Sequence, residues 1–184
     1  MNKILSYANN NKAHLSLTAI ATLNAYLINY FNTICNCSVS FVLFLFTVNL
    51  VQYYFGTTKA IYSAAAALSA AYTAQAGLPY YIYGQLMPEL VKFSLLSITV
   101  SVAVSLKLIS SSSAHYSEDS FLIKNWTCVM LAVLIDGSIM VMYFAGIYKP
   151  ATCMNIFMKE IGYKALFTTA LFVTSPILKM VKKN

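Results

Sequence analysis

The chain has 184 residues, of which 59% are hydrophobic, 14% aromatic and only 9% charged. A water-soluble domain carries about a quarter charged residues, because most of its surface faces water. No Asp, Glu, Lys or Arg occurs between Lys12 and Lys59, and none occurs between Lys59 and Glu89. This distribution excludes a soluble enzyme domain, a disordered chain and a disulfide-rich secreted module. A polytopic helical membrane protein remains.

Six apolar stretches are long enough for bilayer-crossing helices. Each such helix needs roughly 20 residues, and we predict them at about 15–31, 38–55, 60–78, 89–108, 126–147 and 159–178. The second is expected to end at Gly56 in a tight turn. The third is rich in alanine, which lets neighbouring backbones approach closely, so we expect it to be central. The sequence therefore predicts an all-α fold, a six-transmembrane-helix bundle in one domain spanning residues 1–184.

The segments between these stretches are short, with one exception. Residues 110–125 contain a run of serines and the charged residues Glu118, Asp119 and Lys124, and we expect a polar cytoplasmic loop there. Pro88 suits the first turn of the fourth helix, where a missing N–H is tolerated. Lys149 and Pro150 are expected to stop the fifth helix.

The lysines predict the orientation. With both termini cytoplasmic, the outer loops carry only Lys149 and Lys159, and the positive-inside rule favours that arrangement. The net charge of +7 then reflects the flanks of the spans, so no nucleic-acid partner is needed to explain it. The inner segments carry Lys3, Lys12, Lys59, Lys107, Lys124, Lys179, Lys182 and Lys183.

Asp136 is the outstanding polar residue inside a predicted span. It lies near the middle of the fifth helix, where an ionisable group costs at least about 2.5 kcal/mol and usually faces an interior cavity. Gly137 beside it leaves room for a ligand or another backbone to approach. The alternative is a protonated Asp136 that is hydrogen-bonded to a neighbouring helix, with no further role.

Three other residues complete the candidate substrate-binding set. Lys164, in the sixth helix, is the natural partner of Asp136, and Glu160 is spaced to pair with it at i,i+4. The alternative for Lys164 is a side chain that reaches to the outer membrane surface. Asn29 and Asn49 are strong donors and acceptors, although either could simply hold helices together.

No catalytic or metal-binding grouping is found in the sequence. His14 and His115 lie at or outside helix ends, and no glycine-rich phosphate loop occurs. Cys35 and Cys37 form the closest cysteine pair, without a second pair or a histidine to make a metal site. We therefore expect no enzyme activity, no cofactor and no metal, and a carrier or channel is the better class.

The chain resembles the queuosine precursor transporters, also called vitamin uptake transporters. The likeness rests on residues 134–146 with their Asp-Gly pair, on residues 161–176 with an early lysine and a late proline, and on residues 49–60 leading into an aromatic-Gly turn. Asn29 stands where the family has a first-helix asparagine. The chain departs from the family where an acidic residue is usual near the end of helix two, since Asn49 or Gln52 stands there.

This resemblance implies import of a 7-deazaguanine-type nucleobase across the bacterial inner membrane. A guanine-like edge offers two adjacent N–H donors, which one carboxylate can accept together. Asp136 suits that contact, and Lys164 or an asparagine could donate to the exocyclic oxygen. The expected partners are thus a small nucleobase-like solute and the lipid bilayer, and a homo-oligomer stays open.

Two alternatives remain at this point. One is the substrate-binding subunit of an energy-coupling-factor vitamin importer, for which Ala21, Ala25 and the alanines of the third helix would offer close packing against a partner. The other is a non-transporting membrane assembly protein, in which replacement of Asp136 would change only stability.

Overall fold

A computed structural model of the protein describes residues 2–30, 34–75, 81–82, 85–86, 89–111 and 118–182, with side chains described at 11–29, 36–75, 89–111 and 120–174. Within these ranges the fold is all-helical apart from one two-residue strand pairing, in which Tyr81 pairs with Leu86 and Ile82 with Gln85. The elements in chain order are α1 Asn2–Tyr30, α2 Ile34–Phe55, α3 Thr57–Gln75, β1 Tyr81–Ile82, β2 Gln85–Leu86, α4 Leu90–Ser110, α5 Glu118–Ala145 and α6 Pro150–Lys182.

The prediction of six helices is confirmed within the described residues. Three of these helices, rather than all six, are long and apolar enough to be candidate membrane spans. These three are α2 from Asn36, α4, and α5 from Ser120. The others are more polar. α1 contains asparagine and threonine, α3 is built from weakly hydrophobic alanine, and α6 carries Lys159, Glu160 and Lys164.

Several helices extend beyond the predicted spans. α1 begins at Asn2 rather than 15, α5 at Glu118 rather than 126, and α6 at Pro150 rather than 159. The predicted loop at 110–125 is thus wrong over 118–125, where Phe121 and Asn125 are buried against the bundle. Hydropathy reports only the apolar length of a segment, whereas a helix continues as long as its side chains pack and no helix-breaking residue intervenes.

The fifth helix ends before Lys149 and Pro150 are reached, and Pro150 begins the sixth helix instead. α5 ends at Ala145, and Pro150 opens α6, where its missing N–H costs nothing. Cys153 and Ile156 in the first turns of α6 are buried, which ties this early segment to the core.

The turn between α2 and α3 is a single residue, Gly56. Its φ of +90° is a left-handed conformation that glycine adopts without strain. Gly56 N–H donates to the Gln52 carbonyl and closes α2, and Ala60 N–H donates to the Gly56 carbonyl, which leads into α3. The predicted tight turn is therefore present and tighter than expected.

α2, rather than the expected α3, is the central helix. It contacts each of the five other helices. Phe41, Phe44, Leu45, Val48 and Val51 on it are buried to 1% exposure or less. A helix that is apolar on all sides is suited to a position surrounded by others.

α3 buries one face only. Ala60, Ala64, Ala67 and Ala71 pack against α1, α2 and α4, while residues on the opposite face are exposed. Ala21 and Ala25 of α1, which the importer-subunit alternative placed at a partner surface, are fully buried within the chain's own bundle.

Candidate functional site

Asp136 lies in the interior of the bundle, about 13 Å before the C-terminal end of α5 at 1.5 Å per residue. It is 3% exposed, on the same buried face as Ala132, Val133 and Met140. The Ser97 hydroxyl of α4 donates to Asp136 Oδ1, and its oxygen also lies 3.1 Å from the Asp136 carbonyl oxygen. Asp136 is thus held by α4 from one side.

Lys164 holds Asp136 from the other side. Its ammonium group donates to Asp136 Oδ2 and to Glu160 Oε1, one turn earlier on α6. The i,i+4 pairing of Glu160 with Lys164 is therefore confirmed. The Lys164 side chain does not extend to the surface, because it is 4% exposed, as is that of Asp136, and the Glu160 side chain is 16% exposed.

An aromatic ring from the central helix covers this ion cluster, which we define as Asp136, Lys164 and Glu160. The Lys164 Nζ lies 4.3 Å from the centroid of the Phe41 ring on α2, which is a cation–π distance. Residues from α2, α4, α5 and α6 thus meet at one point. With little water around them, these charges interact far more strongly than at a surface.

Gly137 explains how α5 and α6 come close enough for this pairing. A Cβ at this position would lie 3.1 Å from Ile161 Cγ1 and 3.2 Å from Phe157 Cε2, both on α6. Those contacts are tighter than ordinary van der Waals packing. The absence of a side chain at Gly137 therefore permits the Asp136–Lys164 bond across the two helices.

A stripe of serines on α4 faces α5, and the sequence interpretation did not single it out. Ser97 binds Asp136, Ser101 donates to the Ala132 carbonyl at 3.1 Å, and Ser105 bonds Asn49. Each of these serines is fully buried, and Ser94 continues the stripe at 8% exposure. The signal was available, since spacings of three, four and four residues place all of these hydroxyls on one helix face.

Asn49 belongs to a second polar group, the amide cluster, defined as Asn49, Ser105 and Asn125. Asn49 Nδ2 donates to Ser105 Oγ at 2.9 Å and to Asn125 Oδ1 at 2.6 Å, and the Ser105 hydroxyl lies 3.1 Å from Asn49 Oδ1. All three residues are fully buried. Asn125 Nδ2 has no partner among the described residues.

Asn29 lies near the end of α1 and is 9% exposed, and its Nδ2 also has no partner within the described part of the chain. Among the described residues, no hydrogen bond links Asn29 or Asn49 to Asp136 or Lys164. The structure therefore brings together two of the four predicted site residues, adds Glu160, Ser97 and Phe41 to them, and places the two asparagines elsewhere.

Comparison of the chain with protein-family models, with curated proteins and with solved structures gave no match.

Proposed function

We propose that this protein is a multi-pass membrane transporter that imports a queuosine precursor, a 7-deazaguanine-type nucleobase, across the bacterial inner membrane. In this proposal all six helices cross the bilayer and both termini are cytoplasmic. The three more polar helices α1, α3 and α6 are then sheltered from lipid on one face by the apolar α2, α4 and α5.

One observation carries the proposal, namely the buried ion cluster. Ionisable groups within a membrane bundle are expensive, and they mark substrate or ion pathways by default. A buried ion pair is in addition weak evidence for stability, because apolar residues of similar volume often serve as well or better. A role in recognition therefore accounts for the presence of three such groups better than a role in folding does.

The proposed substrate chemistry follows from the hydrogen-bond partners that Asp136 and Lys164 need once their ion pair is broken. If Asp136 and Lys164 separate, each needs a new partner of complementary character. A guanine-like edge supplies both, because its two adjacent N–H groups can donate to Asp136 while its exocyclic oxygen accepts from Lys164. Phe41, which covers Lys164, offers a ring face against which a planar base could stack.

The same need for complementary partners would make the site selective among nucleobases. A base that presented an amino group to Lys164, or lacked the donors facing Asp136, would leave a buried charge unpaired. Sites built on such hydrogen bonds reject mismatched analogues by factors of about 10⁴–10⁵. Adenine-type and pyrimidine solutes are therefore expected to compete poorly.

The test is rescue of tRNA queuosine in bacterial cells that lack both their own precursor synthesis and their own transporter. Expression of the wild-type chain with added 7-deazaguanine precursor is expected to restore queuosine-modified tRNA. Asp136→Asn and Lys164→Ala are expected to abolish rescue at equal amounts of protein in the membrane fraction. Lys92→Ala, which changes an exposed lysine on α4, is the matched control and is expected to rescue fully.

The outcomes separate the parts of the proposal. Failure of the wild type to rescue would show that the substrate is wrong. Full rescue by both site variants would show that the site is wrong. A non-transporting assembly protein would show no rescue and no thermal stabilisation by the nucleobase, since only a ligand that binds the folded state raises its apparent stability.

A further inference from the structure

The ion cluster contains one more carboxyl group than it has cations. Asp136 and Glu160 share the single ammonium group of Lys164. With both carboxyl groups ionised, the cluster would carry a net charge of −1 among largely buried side chains. An uncompensated buried charge is strongly unfavourable, whereas one added proton makes the cluster neutral.

No other described group compensates this charge. α2 contributes the Phe41 ring and the thiol of Cys37, which is close enough to Lys164 and Glu160 to interact with them electrostatically. α4 contributes the neutral Ser97 hydroxyl, and α5 contributes Asp136 itself. Among the described residues, Lys164 is the one cation that forms an ion pair with either carboxylate.

The geometry indicates where a proton would reside. Asp136 accepts from Lys164 on one oxygen and from Ser97 on the other, so its ionised form is well stabilised. Glu160 accepts from Lys164 alone among the described residues, so its ionised form is stabilised by fewer donors than that of Asp136. Glu160 is also the more exposed of the two, which gives it access to water.

We propose that the carboxyl pair Glu160–Asp136 binds one proton, carried by Glu160, and that this proton is the coupling ion of import. The inference rests on the proposed transport function. When substrate draws Lys164 toward its oxygen, Glu160 loses part of its counter-charge and binds the proton more tightly. By reciprocity, a protonated Glu160 raises the affinity for substrate, so the two enter together and an inward proton gradient drives accumulation.

The experiment uses the full-length protein in liposomes with radiolabelled 7-deazaguanine. Counterflow exchange at equal pH on both sides measures binding and translocation without a driving force. Accumulation with an acidic exterior measures coupling. For one proton per neutral substrate, a gradient of one pH unit supports up to about tenfold accumulation in wild type, because one pH unit corresponds to a factor of ten in the equilibrium.

Glu160→Gln keeps the hydrogen-bonding shape of a protonated glutamate but cannot release a proton. Its accumulation ratio is expected to fall to about one under the same gradient, as expected for a site that no longer exchanges a proton. Glu89→Gln, which alters an exposed carboxyl group paired with Lys92 on α4, is expected to behave like wild type in both assays. A pH-sensitive dye trapped in the liposomes gives a readout that needs no variant, since internal acidification should follow addition of substrate to the wild type.

Each outcome decides a separate point. Absence of wild-type counterflow would overturn the transport proposal and the coupling proposal with it. Wild-type counterflow without gradient-driven accumulation and without internal acidification would overturn proton coupling alone. A Glu160→Gln variant that still accumulates substrate about tenfold would overturn the assignment of the proton to Glu160.

Discussion

The ion cluster and the amide cluster both lie at the interface between α4 and α5, but only the ion cluster contains charged groups. Ser97 and Ser105 mark their positions on α4, about 12 Å apart at 1.5 Å per residue. On α5, Asp136 and Asn125 lie about 16 Å apart on nearly the same face. Both clusters are buried, and both join helices that are distant in sequence.

The difference is one of charge. In the amide cluster, Asn49 uses both of its N–H donors on neutral partners, and although Asn125 Nδ2 has no partner among the described residues, the group holds α2, α4 and α5 together without carrying charge. In the ion cluster, each charged group is left without a counter-charge if its partner moves away, and it then needs a new partner of opposite charge or a strong hydrogen bond. Burial and polarity are therefore common to both clusters, and the proposed binding site differs from the amide cluster in its unbalanced charge.

The largest expected effect is that of Lys164→Ala. Removal of the only ammonium group leaves two buried carboxyl groups without a counter-charge, and breaking a buried pair costs about 3–5 kcal/mol. The variant is expected to unfold at markedly lower temperature in detergent, as measured by thermal scanning, and to lose transport.

Lys92→Ala provides the contrast for this measurement. Lys92 on α4 also pairs with a glutamate nearby in the sequence, because its ammonium lies 2.9 Å from the carboxylate of Glu89 at the N-cap of α4, but the two side chains are 61% and 51% exposed. An exposed pair contributes about 0–1 kcal/mol. Equal destabilisation by the two alanine variants would contradict the contrast between buried and exposed charge.

A smaller effect is expected for Asn49→Ala in the amide cluster. Hydrogen bonds between helices in membrane proteins average about 0.6 kcal/mol, with a maximum near 1.7. We expect a loss of that size in detergent unfolding, together with transport that persists in proportion to the folded protein.

Asn49 also carries the sharpest test of the predicted site. It was predicted from the sequence to contact substrate, and the structure gives it neutral partners instead. If Asn49→Ala unfolds like wild type but no longer transports, then the amide cluster takes part in binding, and the distinction between the two clusters fails.

The sequence indicated the charged residues of the site and named Lys164 as the partner of Asp136, and the structure confirms that pairing, but the sequence could not give the helix geometry that makes it possible. Asp136 stood out because it is a carboxylate in an apolar stretch, and Glu160 was recognised as a partner of Lys164 because their spacing is local. The bond from Lys164 to Asp136 depends on how α5 and α6 are rotated about their axes. That rotation is fixed by packing, here by the contact of Gly137 with Ile161 and Phe157, which a linear pattern does not reveal.

The helix ends and the position of α3 also depend on packing between helices, which the sequence pattern alone does not reveal. Hydropathy located the apolar parts of α2, α4 and α5, but it missed the helical segments outside them, such as residues 118–125, where Phe121 stacks on Tyr53 with ring centroids 4.2 Å apart. Small residues did predict close packing of α3. They did not predict that the packing would be one-sided, because alanine is equally compatible with a buried face and an exposed one.

The smallest expected effects come from two glycines that differ only in their surroundings. Ala replaces Gly in a helix interior with a gain of up to about 1 kcal/mol in propensity. Gly162 on α6 has no atom within 4 Å of an added Cβ, so Gly162→Ala is expected to stabilise the protein by up to that amount.

At Gly137, the added Cβ would press on Ile161 at 3.1 Å and on Phe157 at 3.2 Å. Overpacking a tight contact costs about 1–3 kcal/mol, which cancels or exceeds the gain in propensity. Gly137→Ala is therefore expected to be less stable than Gly162→Ala by about 1–3 kcal/mol in detergent unfolding, with reduced transport because α5 and α6 are pushed apart beside Asp136. Equal stability of the two variants would show that the Asp136–Lys164 bond does not depend on the close approach at Gly137.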